Sequence, residues 1–139
     1  MGLLPANRVF NQLFYFATPV IFQKPGQVLD VALLDEMMGF YVRSFYDVCA
    51  AVRRAGDQRI GVLYRSSVAV ESRPANRSEY AIAKAVSEVL CPDLPRLLKG
   101  VRVQVRRLLR LQTPQTSSIQ PVRTGSAVDE MPVVIKVLP

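Results

Sequence analysis

Tyr80, Lys84 and Ser67 are the residues of this sequence whose types and spacing could support catalysis. Tyr80 and Lys84 stand four positions apart in a segment of helical periodicity, so both side chains project from one face with Cβ atoms about 5–6 Å apart. A protonated lysine beside a tyrosine stabilises the tyrosinate, which makes the phenol a useful acid or base near neutral pH. Ser67 precedes Tyr80 by thirteen positions, and its hydroxyl can hydrogen-bond a substrate oxygen. The three residues predict proton transfer at an oxygen of a small-molecule substrate.

Three segments with strand character supply the elements that must position these residues. Residues 13–17 are apolar and aromatic, and we expect a strand buried on both faces. Residues 60–64 predict a second buried strand that runs into Ser66 and Ser67. Over 101–106 valine alternates with arginine and glutamine, which predicts a third strand. Open α/β sheets bind ligands at the carboxyl ends of their strands, and Ser67 lies at such an end.

Two segments of helical periodicity separate these strands. The first runs from about 29 to 55, and Gly56 is its expected C-cap. After a predicted loop over 71–77, Ser78 is the expected N-cap of a second helix, which Pro92 and Pro95 break or kink near its end. Strands that alternate with helices indicate right-handed crossovers and a parallel sheet.

Composition narrows the classes of chemistry and of protein. The 139 residues are 50% hydrophobic, which suits one globular domain and argues against intrinsic disorder. The sequence contains no histidine, which excludes His-based acid–base catalysis and His-ligated metal sites. Cys49 and Cys91 are too few for a four-thiolate metal site and are predicted to be buried thiols of a reducing compartment. We expect no metal, no membrane span, no secretory signal and a cytoplasmic location.

Around the candidate residues the sequence resembles the short-chain dehydrogenase/reductase superfamily, with features of its extended branch of NAD-dependent epimerases and dehydratases. The separation of thirteen positions between Ser67 and Tyr80 is common in that family, as is the Tyr80-x-x-x-Lys84 pair. The resemblance covers roughly residues 11–111 and is carried by 13–18, 41–56, 59–70, 80–85 and 100–107.

The resemblance implies roles for five residues and a cofactor, NAD or NADP. Tyr80 would be the catalytic acid/base, Lys84 would bind the nicotinamide ribose and tune Tyr80, and Ser67 would orient the substrate. Ala17 and Thr18, which follow the first strand, would lie near the cofactor through backbone contacts.

Three features depart from the family pattern. The sequence contains no G-x-G motif, the turn that holds the pyrophosphate of a dinucleotide at a helix N-terminus. Tyr41 stands where the long helix often has an asparagine, and Leu108-Leu109 replace the Pro-Gly turn that is common after the third strand. We therefore expect no tight dinucleotide binding by this chain alone.

The simplest interpretation is a partial domain. Residues 1–111 would be the second half of a Rossmann-like NAD(P)-binding domain, and 112–139 a loop-rich C-terminal segment whose β-branched end, 133–138, favours a strand. The predicted fold is a partial doubly wound α/β fold, a parallel sheet of three to four strands with two long helices. Its first strand would have a free edge, covered by a complementary N-terminal half or by a second copy of the chain, unless the chain is a truncated product.

Three hypotheses of function stay open. The first is an NAD(P)-dependent reductase or epimerase-type enzyme that is inactive without its complementary half. The second is a non-catalytic structural or interaction module, suggested by the free strand edge. The third, a nucleic-acid-binding protein, draws on the net charge of +7 and on the basic stretch 96–110, although a solvated strand face explains that stretch more simply. Neither the substrate nor the choice between NAD and NADP can be read from these residues.

Overall fold

The computed structural model describes residues 10–20, 28–56, 59–111 and 124–125. At its centre lies a three-stranded parallel sheet in the order β1-β2-β3. The strands are β1 Gln12–Tyr15, β2 Ile60–Ser67 and β3 Val101–Leu108. This sheet and the two long helices between its strands confirm the predicted partial Rossmann-like fold.

The register of the sheet brings the carboxyl ends of its strands to one edge. Tyr15 at the end of β1 pairs with Tyr64, and Ser67 at the end of β2 pairs with Leu108. Two further short strands, β4 Arg110–Leu111 and β5 Thr124–Gly125, pair with each other in parallel. Apart from β5, the predictions for 112–139 lie outside the described residues.

A long helical segment connects β1 to β2 and contains a wide turn. It consists of α1 Val31–Met38, a π-helical turn Gly39–Arg43 and α2 Ser44–Arg54. The Ser44 N–H donates to the carbonyl of Gly39, five residues earlier, which is the bond that defines a π turn.

The ends of this segment agree with the sequence only in part. The Asp30 carboxylate accepts a hydrogen bond from the Leu33 N–H at 3.0 Å and so caps α1. At the other end Ala55 is the C-cap and keeps right-handed backbone angles. The prediction that Gly56 caps this helix was therefore wrong. The helix ends without a residue in the left-handed conformation, which is the conformation that favours glycine at a helix end.

Short helical elements surround the second long helix. They are α3 Ala69–Ser72, a 3₁₀ turn Ala75–Arg77, α4 Ser78–Leu90, a 3₁₀ turn Cys91–Asp93 and α5 Leu94–Leu97. Pro92 lies in the 3₁₀ turn that ends α4, as predicted.

Two sequence predictions for this region were wrong. Residues 71–77 are not a plain loop, because the Pro74 carbonyl accepts from the Arg77 N–H and starts a 3₁₀ turn. This turn leads directly into α4, so Ser78 is the first helical residue and Arg77 holds the N-cap position. Arg73, with φ of 49°, makes the left-handed break between α3 and the turn.

The prediction that the first strand is buried on both faces was also wrong. In β1 only Tyr15 is buried, Leu13 and Phe14 are half-buried, and Gln12 is exposed. Among the described residues β1 pairs only with β2, and an edge strand has one side without a neighbour to cover it.

Aromatic side chains form the centre of the core between the sheet and its helices. The ring centroid of Phe45 on α2 lies 4.6 Å from that of Tyr64 and 5.1 Å from that of Tyr15. Cys49 and Cys91 are buried in the same cluster as free thiols. Burial raises the pKa of each thiol to about 12, so both are unreactive packing residues.

In the described part of the chain, the hydroxyl of Tyr64 is buried and has no hydrogen-bond partner. It lies near the Ser87 hydroxyl but outside hydrogen-bonding geometry, and Tyr64 is fully buried. An unsatisfied buried hydroxyl costs about 1–3 kcal/mol. We expect Tyr64→Phe to raise the free energy of unfolding by about 1 kcal/mol in urea denaturation.

Tyr46→Phe is the matched control for this substitution, because Tyr46 is exposed and its change should leave stability unaltered. A loss of stability in Tyr64→Phe would show that the Tyr64 hydroxyl has a partner that stabilises the fold.

In the residues that the structure describes, no helix has the length and apolar character needed to span a bilayer.

Candidate functional site

The candidate residues lie where three elements meet at the carboxyl ends of β1 and β2. Thr18 follows β1, Ser67 ends β2, and Tyr80 and Lys84 belong to α4. The Lys84 ammonium donates a 2.7 Å hydrogen bond to the carbonyl of Arg65, two residues before the end of β2. This bond fixes the face of α4 that carries Tyr80 and Lys84 to the edge of the sheet at which open α/β folds bind ligands.

Lys84 is buried among aromatic rings, with only 6% of its surface exposed. Its Nζ atom lies 4.0 Å from the ring centroid of Tyr41, 4.9 Å from that of Tyr64 and 5.9 Å from that of Tyr80. These distances are within the range of cation–π attraction. Burial, with a smaller contribution from the Arg65 charge, lowers the pKa of Lys84 to about 7.

Tyr80 is half-buried on the same helix face as Lys84. Its ring packs edge-on against the ring of Tyr41, with centroids 5.6 Å apart and planes at 76°. The prediction that Tyr80 and Lys84 share one face is therefore confirmed, although the ammonium sits over rings instead of pointing into solvent.

Tyr41 connects this pair to the end of β1. Its hydroxyl lies 2.5 Å from Oγ1 of Thr18, and either atom can be the donor. Thr18 and Ala17 are exposed, and the Thr18 hydroxyl also approaches the Pro19 carbonyl at 3.1 Å. The resemblance placed Ala17 and Thr18 near a cofactor through their backbone. The structure adds that the side chain of Thr18 is engaged with Tyr41.

Ser67 ends β2 beside the turn into α3. Its Oγ atom accepts a 3.2 Å hydrogen bond from the backbone N–H of Ala69. A hydroxyl that accepts can still donate, so the Ser67 hydroxyl can form a further hydrogen bond. Ser67 is thus bonded within its own turn, and among the described residues no hydrogen bond joins it to Tyr80 or Lys84.

A polar network behind Ser67 was not found by sequence reasoning. The buried Ser66 hydroxyl donates to the Glu88 carboxylate at 2.5 Å. Arg107 on β3 donates to both oxygens of Glu88, at 2.8 and 2.6 Å, and also pairs with Glu71 on α3. The hydrogen bond from Arg107 is the main reason that the pKa of Glu88 is lowered. The only sequence signal was Glu88 standing one helical turn after Lys84.

The same network accounts for part of the basic stretch. Arg107 pairs with Glu71 and Glu88, and Arg96 pairs with Asp93 at 3.2 Å. Among the described residues, no group of His, Cys, Asp or Glu side chains is placed to hold a metal ion.

No family model and no curated protein matches this sequence. Solved structures do match it. One is described as a short chain dehydrogenase/reductase family protein, with a TM-score of 0.71 and 21% identity over 92% of this chain and 58% of the other. A short-chain dehydrogenase/reductase from Burkholderia vietnamiensis gives a TM-score of 0.55 and 24% identity over 74% and 49%.

FolM alternative dihydrofolate reductase 1 from Brucella suis, solved in complex with NADP, gives a TM-score of 0.65. The identity is 19% over 78% of this chain and 45% of FolM. This chain thus spans about half the length of the structures it matches. At these identities the likeness establishes the fold alone: a partial Rossmann-like α/β fold similar to part of the short-chain dehydrogenase/reductase structures, in agreement with the predicted fold.

Proposed function

We propose that this chain is the catalytic half of an NAD(P)-dependent oxidoreductase of the short-chain type, with Tyr80, Lys84 and Ser67 as its catalytic residues. The observation that carries the proposal is the buried ammonium of Lys84, which is bonded to the sheet edge and lies 5.9 Å from the Tyr80 ring centroid. Burying an ammonium is costly, and buried titratable groups with shifted pKa values concentrate at functional sites. Lys84 stands at the strand ends where this fold class binds its ligands.

The residues present fit one end of a nicotinamide dinucleotide. The Lys84 ammonium and the hydroxyls of Tyr80 and Thr18 are donors of the kind that bind the hydroxyls of a ribose. The sequence has no G-x-G turn for the pyrophosphate. The phosphates therefore require a Gly-rich half, supplied by another part of the same polypeptide or by a second one.

The chain's own residues would handle the proton. Bound NAD(P)H would supply the hydride. The Tyr80 hydroxyl would donate its proton to the carbonyl oxygen of the substrate, while the Ser67 hydroxyl hydrogen-bonds the same oxygen. Protonated Lys84 would stabilise the remaining tyrosinate. Because the pKa of Lys84 is about 7, its charged form, which stabilises the tyrosinate, is populated at and below neutral pH.

The finer assignments belong to this proposal. FolM was solved in complex with NADP, which supports a nicotinamide cofactor for a related fold, and epimerase-type chemistry would use the same acid/base. A cytoplasmic location, and a partner in the form of a second copy or a complementary half, stay predictions.

Saturation-transfer NMR with NADPH tests the proposal on the chain as it stands. We expect weak binding in which the nicotinamide and adjacent ribose protons receive more saturation than the adenine protons. Lys84→Met should abolish this pattern, and Lys99→Met, a change at an exposed lysine, should preserve it. Equal or stronger saturation of adenine, or an unchanged spectrum in Lys84→Met, would contradict the proposal.

A second experiment adds the missing phosphate site. The chain is mixed with the Gly-rich first half of a short-chain reductase, and loss of NADPH absorbance is followed with a panel of ketones and aldehydes. Turnover that depends on both halves supports the proposal. Binding without turnover on the whole panel would reject the catalytic assignment.

A non-catalytic interaction module is the second candidate, and the 6% exposure of Lys84 beneath Tyr41 favours it. In that case neither nicotinamide contact nor turnover is expected, and the edge of β1 that has no partner among the described residues would carry the function.

A further inference from the structure

Tyr41 makes more contacts with the candidate site than any sequence pattern indicated. It is 1% exposed, and the Lys84 ammonium lies over its ring. The rings of Tyr41 and Tyr80 pack edge to face. Its hydroxyl bonds Thr18, and its carbonyl accepts a 2.8 Å hydrogen bond from Ser87. One side chain thus contacts residues of α4 and of the segment after β1.

The π-helical turn Gly39–Arg43 is the local structure that places this residue. A π turn inserts an extra residue into the helix, and such turns occur frequently at functional sites. Here the Tyr41 carbonyl accepts a hydrogen bond from the Ser87 hydroxyl, which belongs to α4 and not to the helix of Tyr41. The widened turn therefore docks Tyr41 against the helix that carries Tyr80 and Lys84.

The ring of Tyr41 limits the positions open to the ammonium. A lysine side chain is long and has many rotamers. One of the three N–H groups of Lys84 Nζ donates to the Arg65 carbonyl. The Tyr41 ring, 4.0 Å away, is the nearest of the three aromatic faces around Nζ. A desolvated ammonium is held over such a face by the ring quadrupole.

We propose that Tyr41 is a positioning residue for Lys84: its ring holds the ammonium in place, and its hydroxyl ties that position to the end of β1 through Thr18. The catalytic consequence of this inference rests on the proposed function, whereas the geometry does not. The other titratable or charged groups around Nζ are Arg65, Tyr64, Tyr80, Glu88 and Cys91.

Proton NMR of the Lys84 side chain tests the geometry without cofactor or substrate. The sequence has four lysines, so ¹³Cε-lysine labelling gives few signals, and Lys84→Met assigns the one of interest. Protons above an aromatic face are shifted upfield, so the Lys84 ε-protons should resonate upfield of those of exposed Lys99 in the unaltered chain. Resonance at the position of Lys99 would overturn the proposal without any substitution at Tyr41.

Two substitutions separate the ring from the hydroxyl. Tyr41→Leu should reduce the upfield shift, because it removes the nearest of the three rings around Nζ. Tyr41→Phe keeps the ring and should retain the shift. Thr18→Val should match Tyr41→Phe, because both remove the same hydrogen bond. An unchanged shift in Tyr41→Leu would reject the positioning role.

Folding and function are checked separately. If Tyr41→Leu fails to fold, the wild-type shift and the Tyr41→Phe and Thr18→Val pair still decide the outcome. In the complemented enzyme, Tyr41→Leu should lower kcat about tenfold with little change in KM, as for an interaction used in the transition state. An intact upfield shift together with absent nicotinamide binding would reject the proposed function and leave this inference standing.

Discussion

Tyr80→Phe is expected to lower turnover of the complemented enzyme by about 10²–10⁴-fold, the usual contribution of a general acid or base. The substitution removes the phenolic proton and keeps the ring that packs edge-on against Tyr41 at 5.6 Å. The loss should therefore appear in the chemical step. Nicotinamide saturation in the NMR experiment should persist, since the Lys84 ammonium is unchanged.

Tyr46→Phe serves as the control, because Tyr46 is an exposed tyrosine on α2. Circular dichroism and thermal melting of both variants should match the unaltered chain. Turnover that survives Tyr80→Phe within a few-fold would reject Tyr80 as the acid/base.

Lys84→Met is expected to change how stability depends on pH. The pKa of Lys84 is about 7 in the folded chain against an ordinary value of 10.5. Between these values the unfolded chain binds more protons than the folded chain, so the free energy of unfolding rises with pH. The stability associated with neutral Lys84 is thus complete above pH 10.5 and is lost as the pH falls to about 7.

The methionine variant lacks this dependence. Its free energy of unfolding, minus that of the unaltered chain, should grow by up to about 1.4 kcal/mol for each pH unit of decrease between pH 9.5 and 7.5. Below the pKa of Lys84 the difference should level off, because both states are then protonated. Urea denaturation in steps of pH measures it.

Comparing variant and unaltered chain at each pH removes the other titrations. Burial raises the pKa of Tyr41, Tyr64, Cys49 and Cys91, and these groups are present in both proteins. Lys99→Met, at an exposed lysine, should give a difference that does not vary with pH. Parallel pH curves for Lys84→Met would show that the ammonium is solvated in the folded chain.

The strand and helix order was predictable because its signals are local. Alternation of valine with arginine and glutamine over 101–106 predicts a strand, and the four-residue spacing of Tyr80 and Lys84 places both on one helix face. The loop predicted over 71–77 failed because Pro74 was treated as a breaker. Proline also suits the start of a helical turn, which is its position here.

The rest of the site depends on contacts that spacing cannot reveal. Spacing gives the helix face of Lys84 but not its rotamer, which turns inward to the Arg65 carbonyl. Glu88 meets Ser66 and Arg107 because β2 and β3 pair in the register that sets Ser66 beside Arg107. Burial of β1 likewise depends on what lies along its second edge, and a strand's own residues do not specify that neighbour.

The ion pairs of Arg107 with Glu71 and Glu88 connect three elements of the fold. Glu71 belongs to α3, which follows Ser67, and Glu88 belongs to α4, which carries Tyr80 and Lys84. Both carboxylates pair with the guanidinium of Arg107 on β3, so α3 and α4 share one anchor. Without that anchor α3 and α4 would be free to shift relative to each other, so β3, the neighbour of β2 in the sheet, helps to fix where the Ser67 hydroxyl and the Tyr80 phenol lie.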